Sequence, residues 1–245
     1  MPATWNGILS TGRSEPLSVG GLAWPIELRP YPRARAMRLR LDEARERLVL
    51  TIPRRMSRCA ALDWAQKQGE WVDRQLARLQ PGEPFAPGAS IPFEGRIVRL
   101  EWSETLPRNP RLDGAVLRCG GPEAAFTGRI ERFLRGEARR RLSEATAELA
   151  NRAGVTVRSV AVGDASSRWG SCSANGAIRF NWRLVLAPSH LLRWVVAHEV
   201  AHRRHMDHGS AFKALEAELY DGSVAAARAE LRALGPRLKR VGRPL

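Results

Sequence analysis

"AHEVAHRRHMDHGSAF", residues 197–212, holds four of the five histidines of this 245-residue chain, and its reading decides the rest. Residues four apart on an α-helix lie one above the other, so His198 and His202 present two imidazoles from adjacent turns to a single point. Zinc takes nitrogen ligands at about 2.0–2.1 Å in a tetrahedron, and a catalytic site keeps one position for water, so a third protein ligand is required. His205 lies on the same face, but along a continuous helix its Cα would stand roughly 10 Å from that of His198. His208 fits better if the helix ends around Met206, because Asp207-His208-Gly209 is turn-prone and folds the imidazole back. A carboxylate from the next helical segment, Glu216 or Glu218 in "FKALEAELY", is the remaining alternative. Glu199 follows the first candidate ligand directly, which places it beside a metal and not pointing at it. That is the position of a general base, taking a proton from a zinc-bound water whose pKa is lowered toward ~7 and passing it to a leaving amine.

Working outward, Ser189 after Pro188 starts the helix that carries "HLLRWVVAHEVAH", with Leu191, Trp194, Val195 and His198 facing inward. Before it, "VTVRSVAVG" (155–163) and "GAIRFNW" (176–182) read as strands flanking the loop "DASSRWGSCSAN". Further back, Phe126, Ile130, Phe133/Leu134, Ala138, Leu142, Ala145 and Leu149 form the stripe of a long helix closed by Gly154. In the first 120 residues short apolar runs alternate with turns. "GLAWPIELRP" (21–30), "RAMRLRL" (35–41) and "RLVLTIP" (47–53) read as strands, the last two paired as a hairpin through "DEARE". "SRCAALDWAQKQGEWVDRQLARLQPG" reads as one amphipathic helix capped by Ser57, and "SIPFEGRIVRLEW" and "AVLRC" as further strands. The expected organisation is α+β: a mostly β N-terminal region with one amphipathic helix at 1–120, then a metal-binding catalytic domain at 121–245.

Three scattered cysteines (Cys59, Cys119, Cys172) with no Cys-x-x-Cys pair argue against a disulfide framework and against a thiolate zinc site. The N-terminal "MPATWNGILSTGRSEPL" has no basic segment followed by an apolar run, and no 18-residue apolar stretch occurs, so a cytoplasmic location without membrane insertion is expected. The net charge of +15 suggests a nucleic-acid or nucleotide partner. Against this, only three of the forty basic residues are lysines and the arginines are spread along the chain, the pattern of a biased coding composition.

Taken together, "RWGSCS" (168–173), "NWRLVLAP" (181–188), "VVAHEVAHRRHMDHGSAF" (195–212) and, more weakly, "RARAMRLRL…LVLTIPRR" resemble the YgjP-like metallopeptidases, zincins related to the SprT and Wss-type proteases. The resemblance implies a zincin-like catalytic domain after the β-rich part, with His198, His202 and His208 as zinc ligands, Glu199 as base and a peptide or protein as substrate. The metzincins share the histidine spacing, but this chain has His205 where they have Gly, and Met206 is its last methionine, so their methionine turn is missing. One departure from the YgjP-like pattern is Lys213, at a position where an aromatic often follows the Phe of "SAF".

In zincins an edge strand above the helix pairs with extended substrate, which makes Arg168 and Trp169 candidate substrate contacts. The plainer reading gives Trp169 to the core, Gly170 to a tight turn and Cys172 to a small buried hydrophobe. Two rival functions keep the metal: hydrolysis of nucleotide phosphoanhydrides, with arginines as phosphate clamps, and a nucleic-acid-associated protease or zinc module.

Overall fold

The computed structural model describes residues 17–43, 46–79 and 81–244. The N-terminal stretch read for a targeting signal therefore falls, but for Leu17, outside the described residues, as do two residues of the "DEARE" connection. Among the described residues the fold is mixed α+β, with six α-helices, two short 3-10 helices and three small sheets. No described helix is long and apolar enough to cross a membrane.

The chain divides into two compact units, Met1–Leu79 and Gln80–Leu245. In the first, β1 (Ile26–Tyr31) pairs in parallel with β3 (Arg47–Pro53), and β2 (Arg38–Asp42) pairs antiparallel with β3 on its other side. The inward side chains of β1 and β3 form a core with Ala61, Ala65 and Val72 from the helical segment that follows. That segment is not one helix. It breaks into α1 (Arg58–Gln66), capped by Ser57 as the sequence predicts, and α2 (Gly69–Leu76). The break falls where a distant backbone passes: a Cβ on residue 69 would come within 3.2 Å of the Gly21 carbonyl oxygen, which favours glycine there, and glycine is a poor helix interior residue.

The expected division near residue 120 does not coincide with this boundary. The sheet β4-β5-β7-β6 (Ser90–Phe93, Arg96–Trp102, Val116–Cys119, Arg111–Asp113) belongs to the second unit, because Val98, Leu100 and Leu117 bury into the same core as the helices after it. Glu94 and Gly95, both at positive φ, close the β4–β5 hairpin.

That core is organised around α3 (Phe126–Ala153). Phe126, Ile130, Leu134, Ala138 and Leu142 recur every four residues and are buried, and Gly154 ends the helix in the left-handed conformation at φ 63°. Against α3 packs α4 (Ser189–Ala201), whose Val196, Ala197, Val200 and Ala201 are fully buried; of the expected inward face Leu191, Trp194 and Val195 are buried and His198 is half-buried. A helix apolar nearly all round is a central helix. A third sheet, ordered β8-β10-β9 (Ser159–Gly163, Ala177–Asn181, Gly170–Cys172), leaves β9 as an edge strand lying against α4. Between sheet and helix the short 3-10 segment Trp182–Leu186 is entirely buried. Helices α5 (Ser210–Tyr220) and α6 (Val224–Arg240) complete the unit.

The loop into β9 is held from several sides. The Arg183 guanidinium, itself buried, pairs with Asp164 and donates to the Val241 carbonyl at 3.1 and 3.3 Å. Burial opposes ionisation of Asp164, but Arg183, Arg243 and Arg135 outweigh it and hold the carboxyl below its usual range. Asn181 donates its amide to the Ala165 carbonyl at 2.8 Å, and the Asn181 backbone N–H bonds the Trp169 carbonyl at 2.8 Å. Trp169 and Gly170 thus arrive at the helix in a defined position.

Candidate metal centre

Helix α4 ends earlier than Met206. Its last residue is Ala201, and His202 is the C-cap. The N–H groups of Arg203 and Arg204 bond the carbonyls of Val200 and Ala201 three residues back, so the final turn tightens into 3-10 geometry. The Asp207 carboxylate then accepts the Gly209 N–H at 3.3 Å, an Asx turn that returns the chain toward the helix with His208 on it.

The result is convergence. One ring nitrogen each from His198, His202 and His208 lies within 4.8 Å of the other two, and the Nε2 atoms of His198 and His208 are 3.4 Å apart. A tetrahedron with bonds of about 2.0–2.1 Å separates its ligands by about 3.3–3.4 Å, the spacing of the His198–His208 pair, so the cluster could hold a small tetrahedral cation of zinc's kind. Two of the opposite ring nitrogens are engaged. His198 Nδ1 lies 2.9 Å from Glu216 Oε1, and His202 Nδ1 lies 3.1 Å from the His205 carbonyl. Such partners fix the tautomer and leave Nε2 free for a metal. Phe212, at the start of α5, packs its ring 4.6 Å from that of His202, 4.7 Å from His208 and 5.1 Å from His198.

Glu216, considered from sequence as an alternative third ligand, is placed on the far side of His198. It is buried, and its Oε1 accepts from Trp194 Nε1 at 3.0 Å as well. Burial opposes its charge, but the hydrogen bond and charge of His198, the Trp194 bond and nearby Arg228 hold its carboxyl below the usual range. Glu218 is exposed, with its backbone carbonyl taken by Arg152 at 3.0 Å. Burial lowers the pKa of His202, which favours the neutral imidazole that ligates metals. The His205 carbonyl and the Phe212 ring were missed by sequence reasoning, although Phe212 stands inside the "SAF" signature and the partner of His202 is only three residues away.

Glu199 is 5 % exposed and packs under β9. A Cβ on residue 170 would come within 2.6 Å of Glu199 Cγ and 2.7 Å of Cδ, so only glycine admits this carboxylate between strand and helix. Burial pushes the Glu199 carboxyl up to about 7, against the pull of His198 and Arg168. Trp169 lines the cleft of about 440 Å³ beside the histidines together with Gly170, Trp194 and Val195. Arg168 faces a second cleft of about 220 Å³ with Ser171 and Arg179, yet its charge still reaches Glu199. Trp169 and Arg168 therefore share the wall of the second cleft, while of the two only Trp169 reaches the cleft beside the histidines. All three cysteines are free thiols.

A mixed α+β unit that gathers three histidines around one point, with a buried carboxylate alongside, has a side-chain group that could hold a metal ion. Residues 35–233 match the family model of the YgjP-like metallopeptidase domain, and the chain belongs to that family. No curated protein and no solved structure matches it. The family implies a hydrolase with a metal ion, typically zinc, and protein or peptide substrates.

Proposed function

We propose that this protein is a zincin-type zinc peptidase in which His198, His202 and His208 hold the ion and Glu199 is the general base. The observation that carries this reading is the convergence of three imidazole nitrogens within 4.8 Å beside a buried carboxylate. Held by these three histidines, a zinc ion would supply Lewis acidity for the scissile carbonyl and would lower the pKa of water toward about 7. Glu199 takes the proton of the attacking water and delivers it to the leaving amine nitrogen. Glu216 orients His198, the His205 carbonyl orients His202, and the Phe212 ring packs against all three imidazoles. The β9 edge, with Trp169 at its entry, gives an extended peptide backbone a partner above Glu199. Removing metal with a chelator should abolish cleavage of an unstructured protein, and stoichiometric zinc should restore it. Cleavage that persists in fully metal-free protein would overturn the reading.

Two further outcomes follow from the supporting contacts. Glu216→Ala leaves the His198 ring without its partner, so zinc affinity is expected to fall about 10–100-fold, read by competition with a chromophoric chelator. Gly170→Ala forces the Glu199 carboxylate aside without touching a histidine. Zinc affinity should stay within about threefold of wild type, while kcat falls by roughly a hundredfold for a misplaced base. Equal kcat in the alanine variant would show that the strand tolerates a side chain there.

A further inference from the structure

The cleft beside the three histidines has apolar walls, supplied by Trp169, Trp194, Val195, Phe212 and Leu231. Its charged lining is uneven. Glu199 stands at the metal centre, and the Glu216 carboxylate is already committed to His198 and Trp194. The other two charged residues are cations, Lys213 on α5 and Arg228 on α6. Both are exposed, and neither makes a hydrogen bond or ion pair with a described residue. Several basic side chains of the same unit are engaged, Arg193 with Glu148, Arg237 with Glu83, and Arg152 and Arg203 with backbone carbonyls; of the unengaged ones, Lys213 and Arg228 are those that line this cleft.

Resting on the peptidase reading above, we propose that Lys213 and Arg228 form a carboxylate-binding subsite, so that peptides carrying a carboxylate next to the scissile bond are preferred. The apolar walls accommodate the aliphatic stem of such a residue, and the two cations meet its charged end in a cleft where water is partly displaced. Arg228 offers a planar pair of donors and Lys213 a compact charge, a combination suited to a carboxylate arriving from the metal side. The carboxylate has two sources, an acidic side chain or the chain terminus of the peptide. Neither cation is hydrogen-bonded to its own helix, and Arg228 reaches the Glu216 carboxylate only through its charge.

The test maps cleavage sites of zinc-loaded protein in an unstructured substrate, then compares peptides with Glu or Gln at each residue flanking the scissile bond, each with a free or an amidated C-terminus. Wild type is expected to favour the acidic member in kcat/KM by roughly tenfold or more, the scale of one charge-assisted hydrogen bond. Lys213→Gln with Arg228→Gln should bring that ratio close to one at equal zinc content, and Lys213→Arg should keep it. A preference that survives amidation assigns the subsite to the acidic side chain; one that requires the free terminus assigns it to the chain end. Absence of an acid preference in wild type, or its persistence in the double variant, overturns the proposal while leaving the peptidase intact. If no peptide is cleaved, the peptidase reading fails instead. Calorimetric binding of the same acid and amide peptides to zinc-loaded Glu199→Gln protein, with and without the two substitutions, then decides the subsite, and equal affinities refute it.

Discussion

Glu199→Gln is expected to keep zinc at wild-type stoichiometry while lowering peptide turnover by roughly 10²–10⁴, the contribution of a positioned general base. Glutamine preserves size and hydrogen bonding but cannot accept a proton, so the chemistry is lost and the site is not. The assay compares wild type and variant at equal zinc content on unstructured proteins and on nucleoside triphosphates. Unchanged turnover would remove Glu199 from the mechanism, and Glu199-dependent release of pyrophosphate without peptide cleavage would transfer the function to nucleotide hydrolysis. The same substitution has a second readout in metal-free protein. Burial raises the Glu199 carboxyl from its ordinary 4.5 to about 7, so the folded state binds this proton more tightly than the unfolded one. The associated stability is fully present below pH 4.5 and is lost as pH rises through 7. Glutamine mimics the protonated form at every pH. The variant should therefore match wild type near pH 4 and exceed it at pH 8 by up to about 3 kcal/mol, measured by denaturant unfolding with chelator present.

His198→Ala, His202→Ala and His208→Ala are each expected to abolish stoichiometric zinc binding and all metal-dependent turnover. Removing one of three protein ligands leaves two, too few for a tight tetrahedral site in a chain whose cysteines lie elsewhere. His205→Ala should retain zinc, because His205 contributes its backbone carbonyl to His202 and not its ring. Elemental analysis of the purified variants reads the result. A His208 variant that keeps zinc, with Glu216→Ala losing it outright, would reassign the third ligand.

Much of the fold was legible because its signals are local. The four-residue recurrence of Phe126, Ile130, Leu134, Ala138 and Leu142 marked α3, and Gly154 marked its end. Alternating apolar runs marked β1, β2 and β3, and the β2–β3 hairpin follows from their short polar connection. Local signals misled where a distant backbone intervened. Periodicity ran unbroken through Lys67–Gln68, yet the close pass of Gly21 beside Gly69 separates α1 from α2. In the same way, the strands at residues 90–119 carry a β pattern like those before residue 54, and only their burial against α3 shows which core they serve.

The sequence by itself determined that His198 and His202 share one helical face with Glu199 between them, since a spacing of four residues sets that geometry on any helix. It also marked Asp207-His208-Gly209 as a turn, since the Asx bond closes within three residues. Only the tertiary structure decided where Glu216 goes, because the 18 residues separating it from His198 pass through a turn and a helix start whose directions depend on packing. Only the tertiary structure brought Gly170 over Glu199 and Lys213 and Arg228 to one cleft. Contacts between distant segments carry no periodic signature: they are settled by how the strand edge and three helices bury their apolar faces together.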